Sequence, residues 1–157
     1  MPIATALTGV CLVLAALAGA PGSASDETVF VPVQRFTLAW THSIEKTRWE
    51  EDYEVLPPAW PGAPPTLKAT AARIRGSGAG MEPPDDAKLV AGGWYEYTPQ
   101  IKVPSVLRLT RSRFTADYDW CAGGSCRPMS DLLPSDGDIT LLSACTDPKA
   151  TEAPRAP

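Results

Sequence analysis

The sequence predicts an all-β fold: a small antiparallel sandwich or partly closed barrel of about eight short strands. Three observations predict it. Apolar and polar residues alternate at a period of two in one segment after another, which is the side-chain period of a strand. The 17 prolines interrupt the chain at short intervals and separate these segments. No long segment repeats its apolar residues at the helical period, and many short strands between turn signals are typical of sandwiches and small barrels.

The alternating segments divide the chain into candidate strands. They are residues 29–33, 36–43, 48–56, 66–75, 93–98, 105–110, 113–118 and 138–144. The proline-rich segment 57–65 and the glycine-rich segment 76–86 separate strands, because neither favours a ladder of backbone hydrogen bonds. Residues 110–112 are predicted to form a tight hairpin turn.

Segment 66–75 is interpreted as a strand rather than a helix. Its alanines would permit a helix, but the flanking prolines and glycines leave room for little more than two turns. As a strand it places four residues on one face, namely Leu67, Ala69, Ala71 and Arg73.

The segment from Phe36 to Val55 is predicted to be a hairpin with titratable groups on its buried face. Its two alternating rows contain Phe36, Leu38, Trp40 and His42 before the turn and Trp49, Glu51, Tyr53 and Val55 after it. If the strands pair with Ser43 near Arg48, the period of two puts both rows on one face. A titratable group within an apolar row is costly unless it is paired. His42 and Glu51 therefore require an explanation.

Two interpretations of this polar cluster remain open. In the first, His42, Ser43, Glu45 and Glu51 form a site at the end of the hairpin, with His42 and Glu51 hydrogen-bonded to each other or to a ligand. In the second, His42 and Glu51 are a structural pair that fixes the strand register. The opposite, solvated face then carries Glu50, Asp52 and Glu54. A hydrolase built on Ser43 and His42 is disfavoured, because neighbouring strand residues point to opposite faces.

The cysteines after the N-terminal segment predict a disulfide. Cys121 and Cys126 close a short Gly-rich loop and can bond in an oxidising compartment, which leaves Cys145 without a partner. Pairing of Cys145 with either of the other two stays open. A zinc site of these cysteines and His42 has an acceptable ligand count but lacks the close paired spacing of zinc modules. The sequence therefore predicts no metal and no cofactor.

Several smaller features favour structural roles. Gly78 and Gly80 lack the lysine and hydroxyl residues of a phosphate-binding P-loop, so this segment is interpreted as a turn. Trp60 lies in the proline loop and is predicted to be exposed. Asp117 and Asp119 are candidate cation ligands, although a solvated strand face explains them as well.

The N-terminal segment, residues 1–25, is predicted to be an export signal or an uncleaved membrane anchor. It contains no charged side chain, and small residues at 22–25 offer a cleavage site. Its apolar run, residues 3–20, lies near the lower limit of roughly 17 to 25 residues for spanning a bilayer. Residues 26–145 are predicted to form a single β domain, followed by a disordered proline-rich tail at 146–157.

The predicted location is the periplasm, the cell envelope or the medium outside the cell. Contact with a membrane would come only through an uncleaved N-terminus. A net charge of -4 argues against nucleic acid as a partner, because nucleic-acid-binding domains carry a basic patch.

The motif THSIEKTRWEEDYEV resembles the bacterial family called domain of unknown function 1850. The family pattern is an apolar strand, a His-Ser pair, a turn of mixed charge and a glutamate that opens the next strand; a glycine motif and a tryptophan follow later. The corresponding residues here are His42, Ser43, Glu45, Lys46, Glu51, Gly78, Gly80 and Trp94. The resemblance covers roughly residues 36–119.

The resemblance implies a small exported or membrane-anchored protein, often encoded beside tripartite ATP-independent periplasmic (TRAP) transporters of the TAXI type. It implies no activity. The leading hypothesis is a non-enzymatic accessory domain that binds a membrane or solute-binding subunit of such a transporter, or a small solute, at the His42/Glu51 end. Two alternatives stay open. One is a small hydrolase-like enzyme with Glu51 as base and His42 as acid or orienting group; the other is a metal-binding domain that uses Cys121, Cys126 and Cys145.

Overall fold

The computed structural model of the protein describes residues 6–19, 27–76 and 83–150. Over these residues the chain forms two antiparallel sheets, of four and seven strands, and neither closes into a barrel. In chain order the strands are β1 (Thr8–Leu14), β2 (Val29–Val31), β3 (Arg35–Thr41), β4 (Arg48–Leu56), β5 (Thr66–Arg75), β6 (Lys88–Val90), β7 (Trp94–Tyr97), β8 (Leu107–Thr110), β9 (Asp119–Ala122), β10 (Ser125–Pro128) and β11 (Ile139–Thr146). The all-β sandwich prediction is confirmed, with more strands than the sequence indicates.

The four-stranded sheet has the order β2-β1-β11-β8, so β1 lies between two partners. Val10 and Leu12 of β1 are both 0% exposed. Gly9 is required for close approach to β2, because a Cβ there would lie 2.2 Å from the carbonyl oxygen of Val31. Thr8–Leu14 is thus part of the folded domain. Cleavage of the chain after this strand, at the end of the predicted signal, stays a prediction.

All four cysteines form disulfides. Cys121 bonds to Cys126 across the β9–β10 hairpin, which is one of the predicted pairings. Cys145 bonds to Cys11 of β1, so the expectation that Cys145 lacks a partner is wrong; it follows from placing Cys11 in a signal. None of these sulfurs is a thiolate ligand, and the metal-binding alternative built on them is therefore wrong. Two disulfides are consistent with an exported protein in an oxidising compartment.

The seven-stranded sheet has the order β10-β9-β3-β4-β5-β7-β6. In its β3–β4 hairpin Thr41 lies opposite Arg48, and Leu38 lies opposite Glu51. The predicted register, with Ser43 near Arg48, is wrong by two residues. A shift of two residues keeps the same side of the pleat, so the predicted shared face of the two rows is confirmed.

A β-bulge interrupts β5 opposite Asp52 and Tyr53 of β4, and Thr70 is the extra residue. An extra residue shifts the alternation of the strand by one. The prediction of one continuous face along β5 is therefore wrong. The face toward the other sheet carries Leu67, Ala69, Ala72 and Ile74, and the outer face carries Lys68, Ala71 and Arg73.

The connection between β8 and β9 also differs from the prediction. Residues 113–118 are not a strand, and residues 110–112 are not a hairpin turn. Arg111 is only 3% exposed and binds Asp117 through two contacts of 2.8 Å. A buried charge needs such a partner, and the ion pair keeps this segment irregular. The tight turn lies instead in the β9–β10 hairpin, where Gly123 and Gly124 have positive φ angles.

The core fills the space between the two sheets. It consists of Val10, Leu12, Phe36, Leu38, Tyr53, Val55, Leu109, Trp120, Met129 and Leu142. The ring of Phe36 stacks on the rings of Tyr53 and Trp120, with centroids 5.3 and 4.5 Å apart. Among the described residues, no helix has the length and apolar character needed to cross a membrane. Residues 151–157 of the predicted tail lie outside the described part of the chain.

Candidate functional site

His42 closes the turn between β3 and β4. Its backbone N–H donates to the carbonyl oxygen of Thr47 at 2.8 Å, and its carbonyl oxygen accepts from the backbone N–H of Lys46 at 3.0 Å. Its Nδ1 accepts hydrogen bonds from the backbone N–H groups of Glu45 at 3.2 Å and Ile44 at 3.4 Å. The imidazole therefore satisfies backbone donors of the turn, as a capping side chain does at a helix end.

The structure does not bring His42 and Glu51 together. Glu51 lies opposite Leu38. His42 is four residues beyond Leu38 in the chain, which corresponds to about 13 Å along the strand direction at about 3.3 Å per residue. The predicted hydrogen-bonded pair is therefore wrong, and the two side chains cannot act directly as an acid and a base on one bond. Ser43 is exposed in the turn, and Glu45 contributes its backbone N–H there.

Glu51 lies on the face of the seven-stranded sheet that packs toward the other sheet. It belongs to a row of side chains that crosses five strands, in the order Trp120, Leu38, Glu51, Ala72 and Tyr97. The small residue Ala72 lies between Glu51 and Tyr97 in this row. In the neighbouring row Tyr53 is likewise followed by a small residue, Ala69.

This arrangement produces a cleft of about 500 Å³, here called the Glu51 cleft. Its lining includes Glu51, Tyr53 and Ala69 from the sheet, the segment 97–104 and Leu107. Segment 97–104 contains two prolines, an isoleucine and a valine, so most of the cleft wall is apolar. The same segment borders a second depression, of about 770 Å³, on its other side.

Glu51 is the charged group that the sheet contributes to this cleft. One of its carboxylate oxygens, Oε2, accepts a hydrogen bond from the hydroxyl of Tyr53. Among the described residues, no lysine, arginine or histidine forms an ion pair with Glu51. Burial, and then the negative charge of Glu51, raises the pKa of Tyr53, Tyr97 and Tyr118 above the usual value. The field of this carboxylate therefore reaches three tyrosine hydroxyls.

The outer face of β4 carries its acids in ion pairs. Arg73 contacts Asp52 at 2.8 Å and Glu50 at 3.0 Å. Arg48 contacts Glu50 at 3.0 Å and Asp119 at 2.9 Å. The interpretation of these acids as a simple solvated face is incomplete, because Glu50 and Asp52 each have an arginine partner.

A depression of about 710 Å³ lies over this network, beside the disulfide-bonded β9–β10 hairpin. It is larger than the Glu51 cleft. Its central acids, Glu50 and Asp52, already share Arg73, so they offer a ligand less uncompensated charge than Glu51 does.

The remaining predicted site residues do not join the Glu51 cleft. Gly78 and Gly80 lie outside the described residues. Trp94 lies on the outer face, where the guanidinium carbon of Arg75 is 6.0 Å from its ring centroid. Trp60 is 67% exposed, as its place in the proline loop predicts.

Asp117 and Asp119, the candidate cation ligands, bind arginines instead. Asp117 accepts hydrogen bonds from Arg111 and from the backbone N–H groups of Tyr118 and Ser130. Burial alone would raise the pKa of Asp117, but these bonds outweigh it and lower the pKa. Over the described ranges, no group of three His, Cys, Asp or Glu side chains is arranged to hold a metal ion.

Sequence reasoning missed Tyr97 and segment 97–104 as parts of the site. The alternation of Tyr95 and Tyr97 does indicate that they share a face. The position of Tyr97 in the same row as Glu51 depends on the pairing of β7 with β5 and on the bulge at Thr70. A period of two contains no information on either feature.

A family model described as Domain of unknown function (DUF1850) matches residues 36–129, more than half of the chain. The match includes the β3–β4 hairpin, the Glu51 cleft and the β9–β10 hairpin. Strands β1, β2 and β11 lie outside it. Neither a curated protein nor a solved structure matches the chain.

Proposed function

Because the chain belongs to the DUF1850 family, a domain of unknown function, we propose its function from its own geometry: it is a non-enzymatic binding domain that takes a small solute in the Glu51 cleft. The domain acts outside the cytoplasmic membrane, as an accessory to a TRAP transporter of the TAXI type. The cleft replaces the His42/Glu51 pair of the sequence-based hypothesis, since only Glu51 faces it.

The observation that carries this proposal is a carboxylate in an apolar cleft that has no cation partner among the described residues. This half-buried carboxylate lacks the compensating charge that Arg73 supplies to Glu50 and Asp52. Departures from good internal pairing concentrate at functional sites, where a ligand supplies what the fold lacks. A cleft of this volume, mostly apolar with a few polar groups, is also typical of small-molecule sites.

The export and transporter parts of the proposal have separate support. Two disulfides suit an oxidising compartment. The transporter association rests on the gene neighbourhood that the family resemblance implies.

Mass spectrometry of the protein recovered from its export compartment tests the proposal. We expect the native mass to exceed the denatured mass by a retained solute, and Glu51→Gln to lose that excess. Glu96→Gln is the matched control, because Glu96 lies on the outer face of β7, away from the Glu51 cleft. His42→Ala tests the other end of the hairpin and should keep the solute. Equal native and denatured masses, or a solute that Glu51→Gln retains, would contradict the proposed site.

A further inference from the structure

The chemistry of the Glu51 cleft limits the kind of solute it accepts. Its least exposed charged group is the Glu51 carboxylate, which has only the neutral hydroxyl of Tyr53 as its hydrogen-bond partner in the described structure. The arginine nearest in the sheet, Arg73, faces the other side and is shared between Glu50 and Asp52. A positive charge on the ligand would therefore meet an acid that no described cation has neutralised.

The two other charged residues at the cleft leave its net charge negative, which favours a cationic ligand. Asp86 and Lys102 both lie in the lining, and both are exposed. They offset each other, so Glu51 leaves the cleft with one excess negative charge. An anionic ligand would add to this excess and would gain no compensating partner among the described residues.

The walls of the cleft favour a cation that carries apolar groups. Tyr53 and Tyr97 stand on two sides of the small residues Ala69 and Ala72. Aromatic faces attract cations, most strongly those that are weakly hydrated, such as alkylated ammonium ions. The prolines and Val103 of segment 97–104 add apolar surface that a strongly hydrated metal cation or bare ammonium ion would not use.

We propose that the solute of the Glu51 cleft is a small organic ammonium ion, an amine with alkyl substituents. This inference rests on the proposed function and specifies its ligand class. The ammonium group lies against the carboxylate of Glu51 and the ring of Tyr97, and the alkyl groups contact the apolar residues of segment 97–104.

The test compares two probes of nearly equal shape. Choline carries a quaternary ammonium, and 3,3-dimethylbutan-1-ol is its uncharged carbon isostere. Binding of each to the full-length, disulfide-bonded protein is measured by NMR chemical-shift titration. We expect choline to bind at least about tenfold more tightly than the alcohol, with shifts confined to the cleft.

Three variants locate the effect. Glu51→Gln should reduce the preference for choline to the part that the ring of Tyr97 supplies, while leaving the weak binding of the alcohol. Tyr97→Ala should weaken choline, whereas Tyr97→Phe should retain most of its affinity, because phenylalanine keeps an aromatic face. Glu96→Gln, on the outer face of the same strand, should leave both titrations unchanged.

The possible outcomes separate this inference from the proposed function. Equal binding of the two probes at the cleft would overturn the ammonium class and keep the cleft as a binding site. Absence of choline binding would also overturn the ammonium class, and the retained-solute measurement would then decide the proposed function independently. Choline shifts that map away from segment 97–104 would overturn the placement.

Discussion

Glu50 and Asp52, on the outer face of β4, share the guanidinium of Arg73. Glu51 lies between them in sequence, and among the described residues its side chain has only the hydroxyl of Tyr53 as a partner. The outer acids belong to a network that ties β4 to β5 and, through Arg48, to β9. The inner acid ties no strands together by an ion pair within the described residues. The difference indicates that stability accounts for the outer carboxylates, and that binding is the better explanation for the inner one.

The four-stranded sheet lies over the inner face, and the Cys11–Cys145 disulfide links its two central strands, β1 and β11. The bond joins residues 134 apart in sequence, and chain entropy predicts a stabilisation of about 5 kcal/mol for such a link. Replacing both cysteines with serine should therefore give the largest loss of unfolding free energy in urea. The Cys121→Ser/Cys126→Ser variant is the control, with about 2 kcal/mol expected for its short loop. Similar losses in the two variants would contradict this ranking.

The same bond links the protein's processing to its fold. A cut at residues 22–25 before this bond forms would remove β1 and leave Cys145 with a free thiol, whereas a cut afterwards would leave the N-terminal piece attached through the disulfide. Protein that keeps β1 should show no free thiol and a denatured mass that includes residues 8–14. A stable, folded protein with one free thiol would show that the covered inner face does not depend on β1.

Removal of Arg73, the cation that Glu50 and Asp52 share, should destabilise the protein. Arg73→Met leaves Glu50 and Asp52 without their arginine, and we expect a loss of about 3 kcal/mol in unfolding free energy. The control is Lys68→Met, an exposed position on the same face of β5, which should change stability by less than about 0.5 kcal/mol. Adding Glu50→Gln and Asp52→Asn to Arg73→Met should recover part of the loss. A loss without recovery would mean that packing of the arginine stem, rather than its charge, stabilises the sheet.

The most direct comparison of the two faces substitutes adjacent glutamates. Glu50→Gln removes a charge bonded to two arginines, and we expect it to cost about 1 kcal/mol. Glu51→Gln keeps an acceptor for the Tyr53 hydroxyl and removes an unpaired charge, so its stability should stay equal or rise. Thermal and urea unfolding of the two variants measure this difference. A Glu51→Gln variant less stable than Glu50→Gln would reverse the assignment of the two roles.

The smallest of these expected effects is the loss of unfolding free energy in acid, which should come from the paired aspartates of the outer face and of the β8–β9 connection. Burial alone would raise the pKa of Asp52, but hydrogen bonds from Arg73 and Thr37 outweigh it, so the folded-state pKa lies below the usual value of an aspartate. A lowered folded-state pKa gives stability that is present above the unfolded pKa and is lost as the pH falls through the folded one. Unfolding free energy should therefore decline below about pH 4. Arg73→Met should lose the Asp52 part of this decline and keep the part from Asp117, whose pKa is also lowered; an unchanged acid profile would contradict this source.

The sequence predicted the all-β class and the central strands of the larger sheet, but it did not predict the first strand of the fold. The bounds of β4 and β5 agree with the alternating segments 48–56 and 66–75. Strand β1 was not predicted, because Thr8–Leu14 contains neither a charge nor alternation and therefore has the composition of an export signal. A strand in the middle of a sheet and the apolar core of a signal differ in their partners, here Val31 and Cys145, and not in their composition.

The candidate site was predicted in part for the same reason. The shared face of the two rows was correct, so Glu51 was recognised as an acid among apolar residues. The same period of two also selected His42, whose role in the turn depends on backbone donors that a periodic pattern does not describe. Tyr97 reaches the cleft through long-range pairing. Local patterns thus identified the face, and the pairing of distant strands determined its neighbours.

The bulge at Thr70 makes the number of residues in β5 as informative as their identity. Because Thr70 has no partner in β4, deleting it would remove the bulge and leave a regular strand in which Arg73 stays on the outer face and Ile74 on the inner face. Inserting one more residue at this point would instead exchange the two faces beyond it, unless a wider bulge absorbed the insertion, and would alter the ion-pair network and the Glu51 cleft together. The strand can therefore have one residue or none between Ala69 and Ala71 and keep the geometry of both surfaces.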